Sequence, residues 1–231
     1  MISKIKKEIQ RNSHPDKAKI YLRFFKTGPG QYGEGDKFLG LSMPEQRAIA
    51  KKYVNISLNE SEELIKSPFH EHRMTGLIIL TYKYLNADEK LKKEIYEIYI
   101  KNYNQINNWD LVDVTAPNII GSYLLDKNKK ILYDFATSDN LWKKRISIIS
   151  TFTFIKNRQF KDTIKISEIL LNDKHDLIHK AVGWMLREMG KRDEKELLNF
   201  LDKYHKTMPR TMLRYSLEKL TDEQRKYYMK N

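Results

Sequence analysis

A chain of 231 residues with 40% hydrophobic content, three Trp, fourteen Tyr and nine Phe has the apolar bulk for a core, which excludes disorder as its main state. Nine Gly and six Pro are few for this length and argue against an all-β design rich in tight turns. A formal charge of +13 favours polyanions, and the absence of cysteine excludes disulfides, thiol catalysis and Cys-ligated metals.

In chain order, the charged start Met1-Ile2-Ser3-Lys4 has no apolar run behind it, so no signal peptide is expected. The one long irregular stretch runs from Thr27 to Phe38. It contains Gly28-Pro29-Gly30-Gln31-Tyr32-Gly33, a literal dinucleotide fingerprint, but a helical pattern precedes it where that motif needs a strand. It lacks the Lys-Ser/Thr of a nucleotide loop as well. A flexible connector is expected there, with a DNA-contacting loop as the alternative. Ser42-Met43-Pro44-Glu45 then combines an N-cap Ser, an early Pro and a Glu at the capping-box position. Ser67-Pro68 opens another helix, Asp193 with Glu196 a later one, and Thr221 with Gln224 the last. Between these signals apolar residues recur at helical spacing, as in Leu91, Ile95 and Ile98 or Leu197, Leu198 and Leu201. No strand alternation is visible. The class is all-α, with roughly twelve or thirteen short helices in a single repeat domain over residues 1–231. No run of about 18 apolar residues predicts a membrane span.

An internal period adds detail. Arg73, Trp109, Arg145, Lys180 and Arg214 are separated by 36, 36, 35 and 34 residues, each near the start of an apolar-rich segment. Spacings of this size mark helix-pair solenoids, in which equivalent positions form a stripe across one face. Four of the five members are basic. Residues 140–231 also hold 21 Lys and Arg against 12 Asp and Glu, a net +9. A right-handed solenoid of HEAT-like helix pairs with a concave basic groove is therefore expected.

Within this register, residues four apart share a helical face. Trp109 with Asp113, then Arg145, then Lys180 with Trp184 and Arg187, are expected to meet in the groove. Asp113 is the anomaly, because a carboxylate weakens a phosphate-binding surface. It is either catalytic or a buried cap or ion-pair partner of Arg145. Pro117, four residues on, cannot donate to the Asp113 carbonyl, so the helix kinks there or a new one begins. The tryptophans are either core fillers or the walls of a site. Two aromatics flanking a carboxylate suit a positively charged ligand, such as an alkylated purine with its weakened glycosidic bond.

The segments Asn107-Asn108-Trp109-Asp110-Leu111-Val112-Asp113, Asn140-Leu141-Trp142-Lys143-Lys144-Arg145 and Lys180-Ala181-Val182-Gly183-Trp184-Met185-Leu186-Arg187-Glu188 resemble those of the AlkD family, bacterial alkylpurine DNA glycosylases built from HEAT-like repeats. The likeness runs over nearly the whole chain. It implies release of cationic purines such as N3-methyladenine and N7-methylguanine, leaving an abasic site, without drawing the base into a pocket. By the same resemblance Asp113 stabilises charge on the deoxyribose and orients water, Trp109 and Trp184 cradle the sugar and backbone, and Arg145 holds phosphate. Arg73, Lys143, Lys144, Lys180, Arg187 and Arg214 are the expected DNA-binding cations. One departure stands out: some members carry a second aromatic immediately before the Trp, where this chain has Asn108.

Elsewhere the signals are weak. His175 and His179 are four apart but have no third ligand at a recognisable spacing, and His70 and His72 point to different faces with no evident role. No metal and no cofactor is expected. The expected partner is double-stranded DNA with alkylated bases, met by a cytoplasmic, nucleoid-associated monomer with no membrane contact. A non-catalytic solenoid binding DNA, RNA or protein through the same groove is the rival reading.

Overall fold

The computed structural model describes residues 1–230, and among them no strand occurs, only a single parallel bridge between Lys37 and Phe69. The chain divides into two compact units, Met1–Thr115 and Ala116–Asn231.

The first unit holds α1 (Ile2–Arg11), α2 (Pro15–Phe24), α3 (Met43–Lys52), α4 (Leu58–Ile65), α5 (His70–Leu85), α6 (Glu89–Lys101), a 3-10 turn (Tyr103–Gln105) and α7 (Trp109–Ala116), whose last residue lies beyond the boundary. Its core is α5, buried without a break from His70 to Leu80 because α1, α3, α4 and α6 all pack against it. A helix surrounded on all sides carries no amphipathic stripe. In α1, by contrast, Ile2, Ile5 and Ile9 form one buried stripe. The capping box at α3 forms as the sequence predicts: the Glu45 carboxylate accepts from the Ser42 N–H at 2.7 Å and from its hydroxyl at 2.5 Å. Helix α2 is different, with no buried residue, and leaves Ile20 and Phe24 largely exposed.

The second unit opens on a π-helical turn (Pro117–Gly121), followed by α8 (Ser122–Leu124), α9 (Lys130–Ala136), α10 (Leu141–Lys156), α11 (Lys161–Ile169), α12 (Asp176–Gly190), α13 (Glu194–Tyr204), α14 (Arg210–Leu217) and α15 (Asp222–Met229). The π turn is the outcome of Pro117, neither the kink nor the fresh helix that the sequence suggests. With no N–H to offer and a ring that crowds the carbonyl four residues back, Pro117 widens the backbone. Beyond it, α10 packs on α12 and α12 on α14, while the shorter α9, α11 and α13 flank this row. Arg145, Lys180 and Arg214 are each the fifth residue of α10, α12 and α14, so the period read from the sequence marks one register on three packed helices.

Close approach in this row depends on Gly183. A Cβ there would lie 2.5 Å from the Met212 carbonyl oxygen and 2.6 Å from the Tyr215 Cβ, both on α14. Backbone cannot yield as a side-chain tip can. Gly183→Ala is expected to destabilise the protein by about 1–3 kcal/mol, despite the better helix propensity of Ala. Urea unfolding checks this, and an unchanged midpoint would contradict the packing described.

Candidate active site

The most informative chemistry lies within the first unit, on α7 and the loop that precedes α3. Trp109 opens α7, with Asp110 beside it and Asp113 one turn on, both half-buried. Spacing of three and four residues puts the ring and both carboxylates on one helical face. That face lines a cavity of about 310 Å³, shared with Tyr21, Phe24 and Phe25, with Phe38, Leu41, Met43 and Gln46, and with His70 and Glu71.

The wall is aromatic and ordered. Trp109 stacks on Phe25 with ring centroids 5.3 Å apart, and Phe24 meets Trp109 edge-on at 5.7 Å. Phe25 in turn stacks on Phe38 at 4.9 Å, and Phe38 on the His70 imidazole at 4.6 Å. The row of π faces thus ends on a ring that can carry positive charge, a favourable neighbour for Phe38.

Beneath the wall is a buried charge network. Asp36 is 7% exposed and accepts from Arg73, from His70 Nδ1 at 3.3 Å and from Asn108 Nδ2 at 3.4 Å. The other His70 nitrogen, Nε2, is 2.8 Å from Asp110 Oδ2. With a carboxylate at each ring nitrogen, the imidazolium form satisfies both. Burial opposes charge on His70, but Asp110 and Asp36 outweigh it and raise its pKa to about 9. Burial likewise opposes ionisation of Asp36, and here His70 and Arg73 prevail, holding its carboxyl below the usual range. Two anions and two cations close the account without net charge.

The same residues fasten the loop. Glu71 is fully buried and accepts from the Leu39 N–H at 2.9 Å and the Gly40 N–H at 2.7 Å, while His70 N–H donates to the Lys37 carbonyl at 2.8 Å. Gly40 has φ +88 and lies against the His14 carbonyl, where no Cβ fits. The stretch expected to be a flexible connector is therefore anchored from Asp36 onward.

The remaining expected residues are placed as follows. Trp184 is half-buried on α12, with its ring 6.0 Å from Phe152. Arg145 is only 4% exposed and donates to the Leu177 carbonyl at 2.5 Å. Lys143 lies over the Phe135 ring at 5.5 Å, Lys144 pairs with Asp173 at 2.7 Å, and Lys180 with Asp176 at 2.7 Å. Arg187 pairs with Glu218, and Arg214 is exposed. Arg73 requires a correction. It is 3% exposed and committed to Asp36 and the Ser67 carbonyl, so it serves the interior and not a phosphate. Sequence reasoning missed His70, Asp36 and the Phe24, Phe25 and Phe38 wall. It also missed the exposed cations Lys17, Lys19 and Arg23 on α2, which the charge pattern of that helix could have shown. His175 and His179 are occupied locally, the first accepting from the Leu177 N–H and the second bonded to the Asp173 carbonyl.

A family model described as DNA alkylation repair enzyme matches residues 5–220. The chain belongs to the DNA alkylation repair enzyme family. Among solved structures, a predicted DNA alkylation repair enzyme from Enterococcus faecalis matches with a TM-score of 0.72, covering 91% of this chain and 97% of that one at 16% identity, a likeness of fold. No curated protein sequence matches the chain. Membership makes DNA the partner and repair of alkylation damage the role. Among the described residues, no helix is long and apolar enough to cross a membrane.

For this repair enzyme the His70 network sets a pH dependence. Its folded pKa of about 9 lies above the ordinary 6.5, so the folded state holds the proton more tightly. The stabilisation, on the order of 3 kcal/mol, is complete below pH 6.5 and lost as pH rises through about 9. Urea unfolding between these limits is expected to show falling stability, and His70→Gln to flatten the profile. A parent protein equally stable at both limits would contradict an ionised His70.

Proposed function

We propose that this protein is a DNA glycosylase that hydrolyses the N-glycosidic bond of cationic alkylated purines, N3-methyladenine and N7-methylguanine among them, and leaves an abasic site. One observation carries the reading: Trp109 and Asp113 share the face of α7 that lines an aromatic-walled, carboxylate-bearing cavity. Aromatic faces and carboxylates both attract a cation and do little for a neutral base.

In the reaction the bond from C1′ to the purine nitrogen breaks and its electron pair goes to the base. A base that was cationic thereby departs neutral and needs no general acid. Positive charge develops on the sugar, where the Asp113 carboxylate stabilises it and orients water. The water oxygen bonds to C1′ and its proton is released, so the step needs no cofactor. This is why one carboxylate suffices where sugar hydrolases use two. Neutral lesions such as uracil are expected to be poor substrates.

Trp184 and Arg145, carried over from the family resemblance, act on the sugar and on phosphate. Because Arg145 is nearly buried, its part is that of a fixed charge. Lys143, Lys144, Lys180, Arg187 and Arg214 supply the phosphate contacts, and the exposed Lys17, Lys19 and Arg23 join them. The working form is a monomer acting on double-stranded DNA, within a HEAT-like repeat architecture.

Incubation with duplex DNA containing N7-methylguanine is expected to release free base. Asp113→Asn should lower the rate by about 10²–10³ while retaining DNA affinity, because it removes no phosphate ligand. No release by the parent, or an Asp113→Asn enzyme as fast as the parent, would sink the reading. Arg214→Ala is expected to reduce the slope of log affinity against log salt by about one. An unchanged slope would remove Arg214 from the DNA contact.

A further inference from the structure

The proposed chemistry uses Trp109 and Asp113 on α7 but gives no part to Asp110, which lies between them. Asp110 Oδ2 accepts from His70 Nε2 at 2.8 Å, and its other oxygen accepts from the Leu111 N–H of its own helix at 2.8 Å. Among the described residues, His70 is the partner that joins this carboxylate to another element.

The groups around the imidazole come from every element packed on it. The loop before α3 brings Asp36 to Nδ1 at 3.3 Å, α7 brings Asp110 to Nε2, and α5 brings Arg73, whose guanidinium also binds Asp36. Glu71, the next residue on α5, directs its carboxylate to the Leu39 and Gly40 N–H groups. Phe38 and Phe25 cover the ring at 4.6 and 5.2 Å. From α2, Tyr21 adds no charge, because burial and the carboxylates of Glu71, Glu45 and Asp110 raise the pKa of its phenol.

Loss of the His70 proton breaks one of these contacts whichever nitrogen gives it up. A neutral imidazole has one N–H and one lone pair, so one carboxylate must then face the lone pair. If Nδ1 keeps the proton, Asp110 Oδ2 has no other donor among the described residues. If Nε2 keeps it, Asp36 is turned against the ring, and Asn108, which donates to Asp36, moves with it. Either way the first turn of α7 loses part of its anchor.

We propose that the His70 imidazolium is a positioning residue for excision: held between Asp36 and Asp110, it fixes the first turn of α7 and so aims Trp109 and Asp113 at the damaged nucleotide. The proposal rests on the glycosylase reading, and it makes the rate of base release, as well as stability, depend on one buried proton. A misplacement of about 1 Å costs on the order of 10²-fold in rate. The exposed cations assigned to phosphate make no contact with His70, so DNA affinity is independent of that proton.

The test measures single-turnover base release from N7-methylguanine duplex, with protein in excess, between about pH 6.5 and 9.5. The parent is compared with His70→Gln, which has no proton to lose in this range, and the ratio of the two rates cancels any titration of the DNA itself. The ratio is expected to favour the parent at least about tenfold near pH 7 and to fall toward one as pH rises through about 9, with both proteins folded by circular dichroism. Asp110→Asn keeps an acceptor for Nε2 but removes one anion, so against the same reference its fall should come about 1–3 units lower. Should His70→Gln not fold, the ratio of the parent to Asp110→Asn serves, and it is expected to climb between about pH 7 and 9. A ratio independent of pH, or a loss of DNA affinity in step with the rate, would overturn the positioning role and leave the glycosylase standing. No release by the parent at any pH would remove the glycosylase reading and the positioning role with it.

Discussion

The Asp36 carboxylate is the point on which the first unit's site depends. A carboxylate so thoroughly removed from water stays ionised only if cations replace its hydration, and Arg73 and His70 do so from successive turns of one face of α5. His70 in turn needs an acceptor for its second N–H and finds it in Asp110. The chain of acceptors and donors therefore links a loop, the first turn of α5 and the first turn of α7. Trp109 and Asp113 are held in place by their membership of α7. Removing any one member would leave a charge buried without its partner, which is costlier than never having built the network.

The arrangement separates two electrostatic tasks by distance. The net charge of +13 acts at long range, attracts a polyanion and is screened by salt. The cavity acts at contact, where carboxylates and π faces oppose the general sign of the surface. Because His70 and Arg73 balance Asp36 and Asp110, the buried carboxylates of the network take little from the positive exterior field. Asn108 fits the same scheme: it is fully buried, donates to Asp36 and accepts from the Trp109 N–H at 2.8 Å. This polar residue ties the start of α7 to the network.

Much of the fold was legible in the sequence. Caps at Ser42, Asp193 and Thr221 lie where the helices begin, and the 34–36-residue period falls in one register on α10, α12 and α14. The pairing of Trp109 with Asp113 followed from helical spacing alone. Hidden were the contacts that span the chain: Asp36 lies 34 residues from His70, 37 from Arg73 and 72 from Asn108. Periodicity places a residue on a helix but does not say what covers it, so Arg73, which shares the 34–36-residue period with the exposed Arg214, was read as a DNA contact. His70 looked inert because its partners come from a glycine-rich loop and from another helix. The aromatic wall was obscured for the same reason, its rings being split between α2, the loop and α7.

Short helices are ordinarily poor platforms, since a helix of two turns gains little from its own hydrogen bonds. Helix α7 is held instead from both ends and from below. At its start Asn108 and Asp110 are fixed by the Asp36–His70 network. Along its length Leu111, Val112, Thr115 and Ala116 are buried, and at its end Pro117 forces the π turn. Its remaining face has nowhere to go but the cavity. A ring and a carboxylate four residues apart on such a helix keep their separation because the helix geometry sets it, and keep their direction because the clamp sets it. Positioning of this kind holds errors well under an ångström, more than an exposed loop can guarantee. The buried ion network is, beyond its effect on stability, the device that aims α7.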